Sequence, residues 1–188
     1  MHRRALLLSV PAVLAGCAST TPIDPNDESL SVVFGYFDMK DAPSSLEWVS
    51  LKKYDSRVKE GEWYSLAARD GLFFHVGIEP GAYQVDKFGG TGGIPLLTRR
   101  PFEYDYAAKG RNQTAVRIAR PGVYFLGAHR YVESPSGFFE NGKFQMQPMP
   151  DLSEKQLLER LVKAIEGDKA LAGYTRQLAL VKRRLASL

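Results

Sequence analysis

Apolar and polar positions divide this chain into two parts with different periods. Between residues 29 and 149, apolar residues form short runs or alternate with polar ones, interrupted by Gly, Pro, Asn and Asp. This pattern is typical of β-strands joined by tight turns. After residue 150, apolar residues recur at three- and four-residue steps, as on one face of an α-helix. We therefore expect a mainly β domain over residues 29–149 and a helical extension over residues 150–188.

The first part has room for about eight short strands at hairpin spacing, which is typical of a sandwich. The nearly continuous apolar run at 30–39 predicts a central buried strand. Further strands are expected at residues 46–54, 63–67, 72–76, 83–88, 102–106, 116–119, 123–131 and around the hairpin dipeptide Asn141-Gly142. Asp70-Gly71 predicts a turn, and the glycine-rich residues 89–93 predict a flexible connection. The predicted fold class is an antiparallel β-sandwich followed by an α-helical hairpin.

A Pro-Gly-x-Tyr-x-aliphatic motif occurs twice, at residues 80–85 and 121–126. Proline sets φ at the first corner of a turn, and Gly81 and Gly122 are expected to supply the positive φ that a type II turn needs. The repeated motif resembles the transthyretin-like sandwiches called carboxypeptidase regulatory-like domains. That resemblance implies a scaffold or binding module without catalytic activity, and no functional residue is carried over with it.

The helical extension has a recognisable start and a recognisable break. Ser153 and Gln156 have the spacing of a capping box, which predicts a helix start there, and Gly167 predicts its end. A second helix is expected from Lys169, or from after Gly173, to the C-terminus. The two helices should pack as a hairpin on the β domain. The basic run at residues 182–184 has fewer cations than usual lipid-binding clusters, so a solvated helix end is the preferred interpretation.

The N-terminus carries the pattern of an export signal. A basic start is followed by an apolar run at residues 5–15, which is much shorter than the roughly 20 residues of a membrane-spanning helix. Leu14-Ala15-Gly16-Cys17 resembles the lipobox of bacterial lipoproteins. The resemblance implies removal of residues 1–16 and attachment of diacylglycerol to Cys17. Two or more acyl chains anchor a protein stably to a membrane.

The residues around the lipobox also indicate a location. Residues 17–28 are rich in Ser, Thr, Pro and Asp and predict a flexible tether. In Gram-negative lipoproteins an Asp after the cysteine favours the inner membrane, so by resemblance Ala18 implies the outer membrane, with the domain facing the periplasm. Cys17 is the sole cysteine, so no intramolecular disulfide can form. The net charge of +4 is small and dispersed, which argues against nucleic-acid binding.

Two groups of residues are candidates for a binding or metal site. Aromatic rings suit stacking on sugars, and the alternative for each is packing in the core. The six aromatic candidates are Trp48, Trp63, Tyr64, Tyr104, Tyr106 and Tyr131. His75 and His129 are the two histidines beyond the signal, and a metal site would combine them with a carboxylate such as Glu79 or Asp86. Because no His-x-His spacing occurs, ordinary strand histidines are the preferred interpretation.

No catalytic motif stands out in the sequence. It lacks a Gly-x-Ser-x-Gly nucleophile motif, and the glycines at residues 89–93 lack the Lys-Ser/Thr of a phosphate-binding loop. We therefore expect a non-catalytic envelope lipoprotein without a cofactor, acting as a structural or protein-binding module. The first alternative is binding of peptidoglycan or polysaccharide, and the second is a metal-dependent enzyme that uses His75 and His129.

Overall fold

The computed structural model describes residues 24–54, 63–93, 98–106, 113–133 and 144–188. The lipobox and the Asn141-Gly142 dipeptide lie outside these ranges. The described strands are β1 (Ser31–Asp38), β2 (Trp48–Lys53), β3 (Trp63–Arg69), β4 (Leu72–Ile78), β5 (Gly81–Gly92), β6 (Arg100–Asp105), β7 (Val116–Ile118), β8 (Val123–Glu133) and β9 (Phe144–Pro148). Helices α1 (Glu154–Gly167) and α2 (Thr175–Ala186) follow, with a 3₁₀ turn at Lys169–Leu171 between them. The predicted mainly β fold with two C-terminal helices is confirmed.

The described strands form one continuous curled sheet, a half-barrel, so the predicted sandwich is not confirmed. The strand order is β6-β5-β2-β3-β4-β1-β8-β9, and β7 pairs with the start of β5. Strand β3 pairs with β2 over most of its length and with β4 through Ala68 and Arg69. The half of the sheet that contains β6, β5, β2 and β3 is thereby hydrogen-bonded to the half that contains β4, β1, β8 and β9. The prediction of a purely antiparallel sheet was wrong in one place, since β1 and β8 are parallel.

Aromatic side chains fill the inner face of the curled sheet. Phe37 lies at the centre, with its ring centroid 4.7 Å from that of Phe73 and 5.1 Å from that of Phe88. Tyr104 of β6 and Phe144 of β9 come from the two ends of the strand order, yet their ring centroids are 5.3 Å apart. The two edge strands β6 and β9 are therefore joined by side-chain packing, and the described strands form no hydrogen-bonded ladder between them.

The helices cover the outer face of β4, β1 and β8. The capping box is confirmed, because the Ser153 hydroxyl accepts from the Gln156 amide at 3.3 Å while Gln156 Oε1 accepts from the Ser153 amide at 3.0 Å. Helix α1 also ends at Gly167 as predicted. Leu158 and Leu161 are fully buried in a second apolar cluster that the helices share with the sheet. The predicted helical hairpin packed on the β domain is thus confirmed.

The prediction of two type II turns was wrong. Neither Gly81 nor Gly122 is among the described residues with positive φ, and Gly81 is already the first residue of β5. Positive φ occurs instead at the Asp70-Gly71 turn, with values of 50° and 79°. Two successive positive φ angles are typical of a tight hairpin turn, here the one between β3 and β4, because they match the right-handed twist of the two strands.

The repeated motif has a different physical basis, which is a tyrosine that folds back over its own turn. The Tyr83 hydroxyl donates to the carbonyl of Glu79 at 3.0 Å, and the Tyr124 hydroxyl donates to the carbonyl of Arg120 at 2.7 Å. A Cβ added at Gly81 would lie 2.9 Å from the Tyr83 ring. Glycine is therefore needed for space at position 81, whereas an added Cβ at Gly122 would lie 3.4 Å from the Tyr124 ring, at ordinary contact distance. In both turns the hydroxyl bond holds the turn in the manner of a tyrosine corner.

The prediction of a flexible glycine connection was also wrong. Strand β5 continues through Gly92, and Gly89 and Gly90 pair with Glu103 and Phe102 of β6. A Cβ added at Gly90 would lie 2.1 Å from the carbonyl oxygen of Ser45. The glycines therefore let the backbone before β2 pass very close to β5.

Candidate functional site

The outer face of β2 and β3 carries both tryptophans of the chain. Val49 and Leu51 of β2 and Leu66 of β3 point into the core. Because successive strand residues point to opposite faces, their neighbours must point outward. We call this surface the tryptophan face, and its members are Trp48, Ser50 and Lys52 of β2 and Trp63, Ser65 and Ala67 of β3.

The register of β2 and β3 gives the tryptophan face the shape of a shallow trough. The cross-strand pairs are Trp48 with Ala67, Ser50 with Ser65, and Lys52 with Trp63. Large side chains therefore stand at the two ends, and two serines lie between them. Trp48 and Trp63 are four residue steps apart along the strands, or about 13 Å. The result is a floor of hydroxyl groups between two indole rings.

Both indole rings have a fixed neighbour. Trp48 lies over Gly89, where an added Cβ would come 2.7 Å from ring atom Cζ2. The Lys52 ammonium lies 4.7 Å from the centroid of the Trp63 ring, within the range of a cation–π contact. Trp63 nevertheless keeps 50% of its surface exposed. A large apolar ring held in place on the surface is a typical feature of binding sites.

Charged groups of β5 and β6 border the trough. Lys87 Nζ donates to Glu103 Oε1 at 2.6 Å, and this hydrogen bond raises the pKa of Lys87. Asp86 is nearly buried, and burial raises the pKa of its carboxyl, although the positive charge of Lys52 opposes this shift. The border therefore offers donors and acceptors beside the rings. This combination suits a ligand that has both apolar faces and polar edges.

The structure divides the six aromatic candidates into two groups. Tyr104 and Tyr131 are buried in the core, and Tyr64 and Tyr106 are partly buried against it. Strand alternation is the reason, since a residue next to an outward Trp63 must point inward. The six rings therefore do not form one exposed platform, and the four tyrosines belong to the inner face.

His75 and His129 also lie on the inner face. His75 Nδ1 accepts a hydrogen bond from the Gly77 amide at 3.0 Å, and its ring lies edge-on to Tyr64. Burial lowers the pKa of His75 to about 4. Burial lowers the pKa of His129 as well, and its Nδ1 has no hydrogen-bond partner among the described residues. Both imidazoles are thus held in the neutral form at neutral pH.

The two histidines lie at different positions along β1. They pair with opposite sides of β1, where His75 lies across from Val33 and His129 from Phe37. Four residue steps along β1 correspond to about 13 Å. The neighbouring rings differ accordingly, with Tyr64 beside His75 and Phe37 beside His129. In the described part of the chain, no three His, Cys, Asp or Glu residues are clustered for metal binding.

A second concave region lies beside the Asp70-Gly71 turn. It is an open cavity of about 360 Å³. Its lining includes apolar Phe37 and Leu46 and the cations Lys40 and Arg69. These residues come from separate segments of the chain, so no sequence pattern brings them together.

Sequence reasoning missed the residues between and beneath the tryptophans. Ser50, Ser65 and Gly89 are not among the candidate residues predicted from the sequence. A signal for the serines existed, because Trp-x-Ser occurs in both strands and places each serine on the same face as its tryptophan. Gly89 belongs to the segment predicted to be a flexible connection, so its position under Trp48 has no signal in the sequence.

Comparison with known proteins gives no match, whether with family models, curated proteins or solved structures. None of the described helices is both long and apolar enough to cross a bilayer. The function must therefore be argued from the geometry of the tryptophan face and from the N-terminal sequence.

Proposed function

We propose that this protein is a non-catalytic binding module of a bacterial cell envelope, anchored by lipid on Cys17 to the outer membrane and facing the periplasm. The tryptophan face is the observation that supports a binding role. Helices cover the outer face of one half of the sheet, whereas the other half presents Trp63 half-exposed. Tryptophan is among the residue types enriched at the few positions that carry most of the binding energy of protein interfaces. A protein of the envelope is the preferred partner.

The anchor is tested by replacing Cys17 with serine. The variant lacks the thiol that accepts diacylglycerol, so we expect it to move from the membrane fraction to the soluble fraction of lysed cells. Ser19→Ala, two residues away, is the matched control and should stay with the membrane. Fractionation followed by immunoblotting gives the result. Equal membrane retention of Cys17→Ser would contradict the anchor.

A glycan is the second candidate ligand, and the shape of the trough favours it. Indole faces suit the apolar faces of sugar rings, while the hydroxyls of Ser50 and Ser65 and the Lys87–Glu103 pair can hydrogen-bond to sugar hydroxyls. The two tryptophans are far enough apart to contact different rings of one polysaccharide. A location in the periplasm would give access to peptidoglycan.

Retention on purified peptidoglycan tests the glycan candidate. We expect the wild type to sediment with it and Trp63→Ala to bind about tenfold more weakly, which corresponds to about 1.4 kcal/mol. Leu188→Ala is the matched control, because Leu188 is 51% exposed but lies at the end of the helical extension. If the wild type is not retained, peptidoglycan is eliminated. Equal retention of Trp63→Ala would move the binding site away from the tryptophan face.

A further inference from the structure

The first described residues of the chain are fastened to α2 and to the turn before it. Gln177 Nε2 donates to the carbonyl of Pro25 at 3.4 Å, and Arg176 forms an ion pair of 2.6 Å with Glu28. An added Cβ at Gly173 would lie 3.6 Å from the Pro25 ring, which is ordinary contact distance. The chain therefore enters the domain on its helical side.

The length of chain before this point is short. Cys17 and Asp24 are separated by seven residue steps, which span at most about 25 Å when fully extended. A lipid on Cys17 would therefore hold the N-terminal end of α2 within about 25 Å of the bilayer surface. The domain itself is on the order of 35–40 Å across, so the tether restrains the helical side, rather than the whole domain, to lie near the membrane.

The helical extension, to which the start of the chain is attached, also carries the excess of positive charge. Residues 150–188 contain eight Lys or Arg and five Asp or Glu, whereas residues 24–149 contain 15 and 16. Within the basic run of α2, Lys182 pairs with Glu166, and Arg184 pairs with Glu154. Arg183 is exposed. The helical extension thus has a formal charge of 8 − 5 = +3, against 15 − 16 = −1 for residues 24–149. A net positive charge is attracted to anionic lipid head groups, although the run at 182–184 alone is smaller than a usual lipid-binding cluster.

We infer that the α1–α2 side of the domain rests against the anionic lipid surface, while the tryptophan face points away from it. This inference rests on the proposed lipid anchor. The helices lie outside β4, β1 and β8, whereas the tryptophan face lies outside β2 and β3 in the other half of the sheet. The exposed Leu188 at the end of the helical extension adds an apolar contact to the interface. The tryptophan face is then free to bind a partner deeper in the periplasm.

Energy transfer to labelled lipids tests this orientation in the full-length lipidated protein. Two matched variants, Ala186→Cys on α2 and Ala67→Cys on the tryptophan face, each replace an exposed alanine. Each is labelled with a thiol-reactive donor dye in vesicles of phosphatidylethanolamine and phosphatidylglycerol that contain a head-group acceptor. Because Ala186 lies on the helical side and Ala67 on the tryptophan face, transfer from Ala67→Cys should be lower than transfer from Ala186→Cys.

The outcomes separate failure of the orientation from failure of the anchor. Equal transfer from the two positions, or greater transfer from Ala67→Cys, in protein that sediments with the vesicles would overturn the orientation alone. It would show that the helical side is no closer to the lipid surface than the tryptophan face is. Labelling of Cys17 in the wild type, together with failure to sediment, would show that the lipid is absent and would remove both proposals.

Discussion

Replacement of Gly90 by alanine should lower the free energy of unfolding by about 2–3 kcal/mol, the upper part of the range for overpacked sites. The added Cβ would lie 2.1 Å from the Ser45 carbonyl oxygen and 3.1 Å from the Glu47 amide nitrogen. Both neighbours are backbone atoms, so relief requires the chain to move. Glu47 also donates its amide to Gly89 O at 2.8 Å, so the movement would strain this bond. Urea unfolding with a shared m-value gives the difference.

Gly167→Ala is the matched control for this substitution. An added Cβ at Gly167 meets no described atom within 4 Å, and the residue ends α1, so a change below about 1 kcal/mol is expected. The outcome for Gly90→Ala discriminates between two views of the glycine segment. A flexible loop predicts no loss, or a gain of about 0.4–1 kcal/mol from the stiffer unfolded chain. Such a gain would contradict the strand assignment.

The features predicted correctly from the sequence are those set by local chemistry. The apolar run before Met39 gave the position of β1, because a strand buried on both faces needs apolar side chains on both. The Ser153 capping box depends on residues three positions apart, so the sequence is sufficient to predict it. The Asp70-Gly71 turn is equally local, since these residue types accept positive φ.

The features that were missed depend on contacts distant in sequence. Alternation tells which residues share a face but says nothing about the direction of the neighbouring strand, so the parallel β1–β8 pair had no signature. The glycines at 89 and 90 are explained by Phe102 and Ser45, which lie far away along the chain. A cluster of glycines permits both flexibility and close approach, and only the fold decides between them.

The candidate site was predictable in part for the same reason. Residue type predicts Trp48 and Trp63 as binding candidates, but it groups the four tyrosines with them because composition does not distinguish inward from outward positions. Alternation along the strand does distinguish inward from outward positions. Trp63 precedes Tyr64, and Glu103 precedes Tyr104, so an exposed or acidic residue that points outward requires the next residue to point inward.

Acid should destabilise this domain through His75 before its carboxylates are fully protonated. Burial lowers the pKa of His75 from 6.5 to about 4, so between these pH values the unfolded chain binds the proton and the folded protein does not. Stability therefore rises with pH across this window by up to about 1.4 kcal/mol per pH unit, on the order of 3 kcal/mol in total. The contribution is fully present above pH 6.5 and is lost as the pH falls towards 4.

The variant His75→Asn isolates this contribution. Its amide oxygen can take the place of Nδ1 and accept from the Gly77 amide, so the hydrogen bond of 3.0 Å can be kept while the titrating group is removed. A constant loss from the smaller side chain is expected at every pH, whereas the slope between pH 4 and 6.5 should decrease. Asp27 and Glu47, whose pKa values are lowered by hydrogen bonds, contribute equally to both proteins and cancel in the difference. Parallel curves for wild type and His75→Asn, measured by urea unfolding at each pH, would mean that His75 is protonated in the folded domain without cost and that its burial is less complete than the fold indicates.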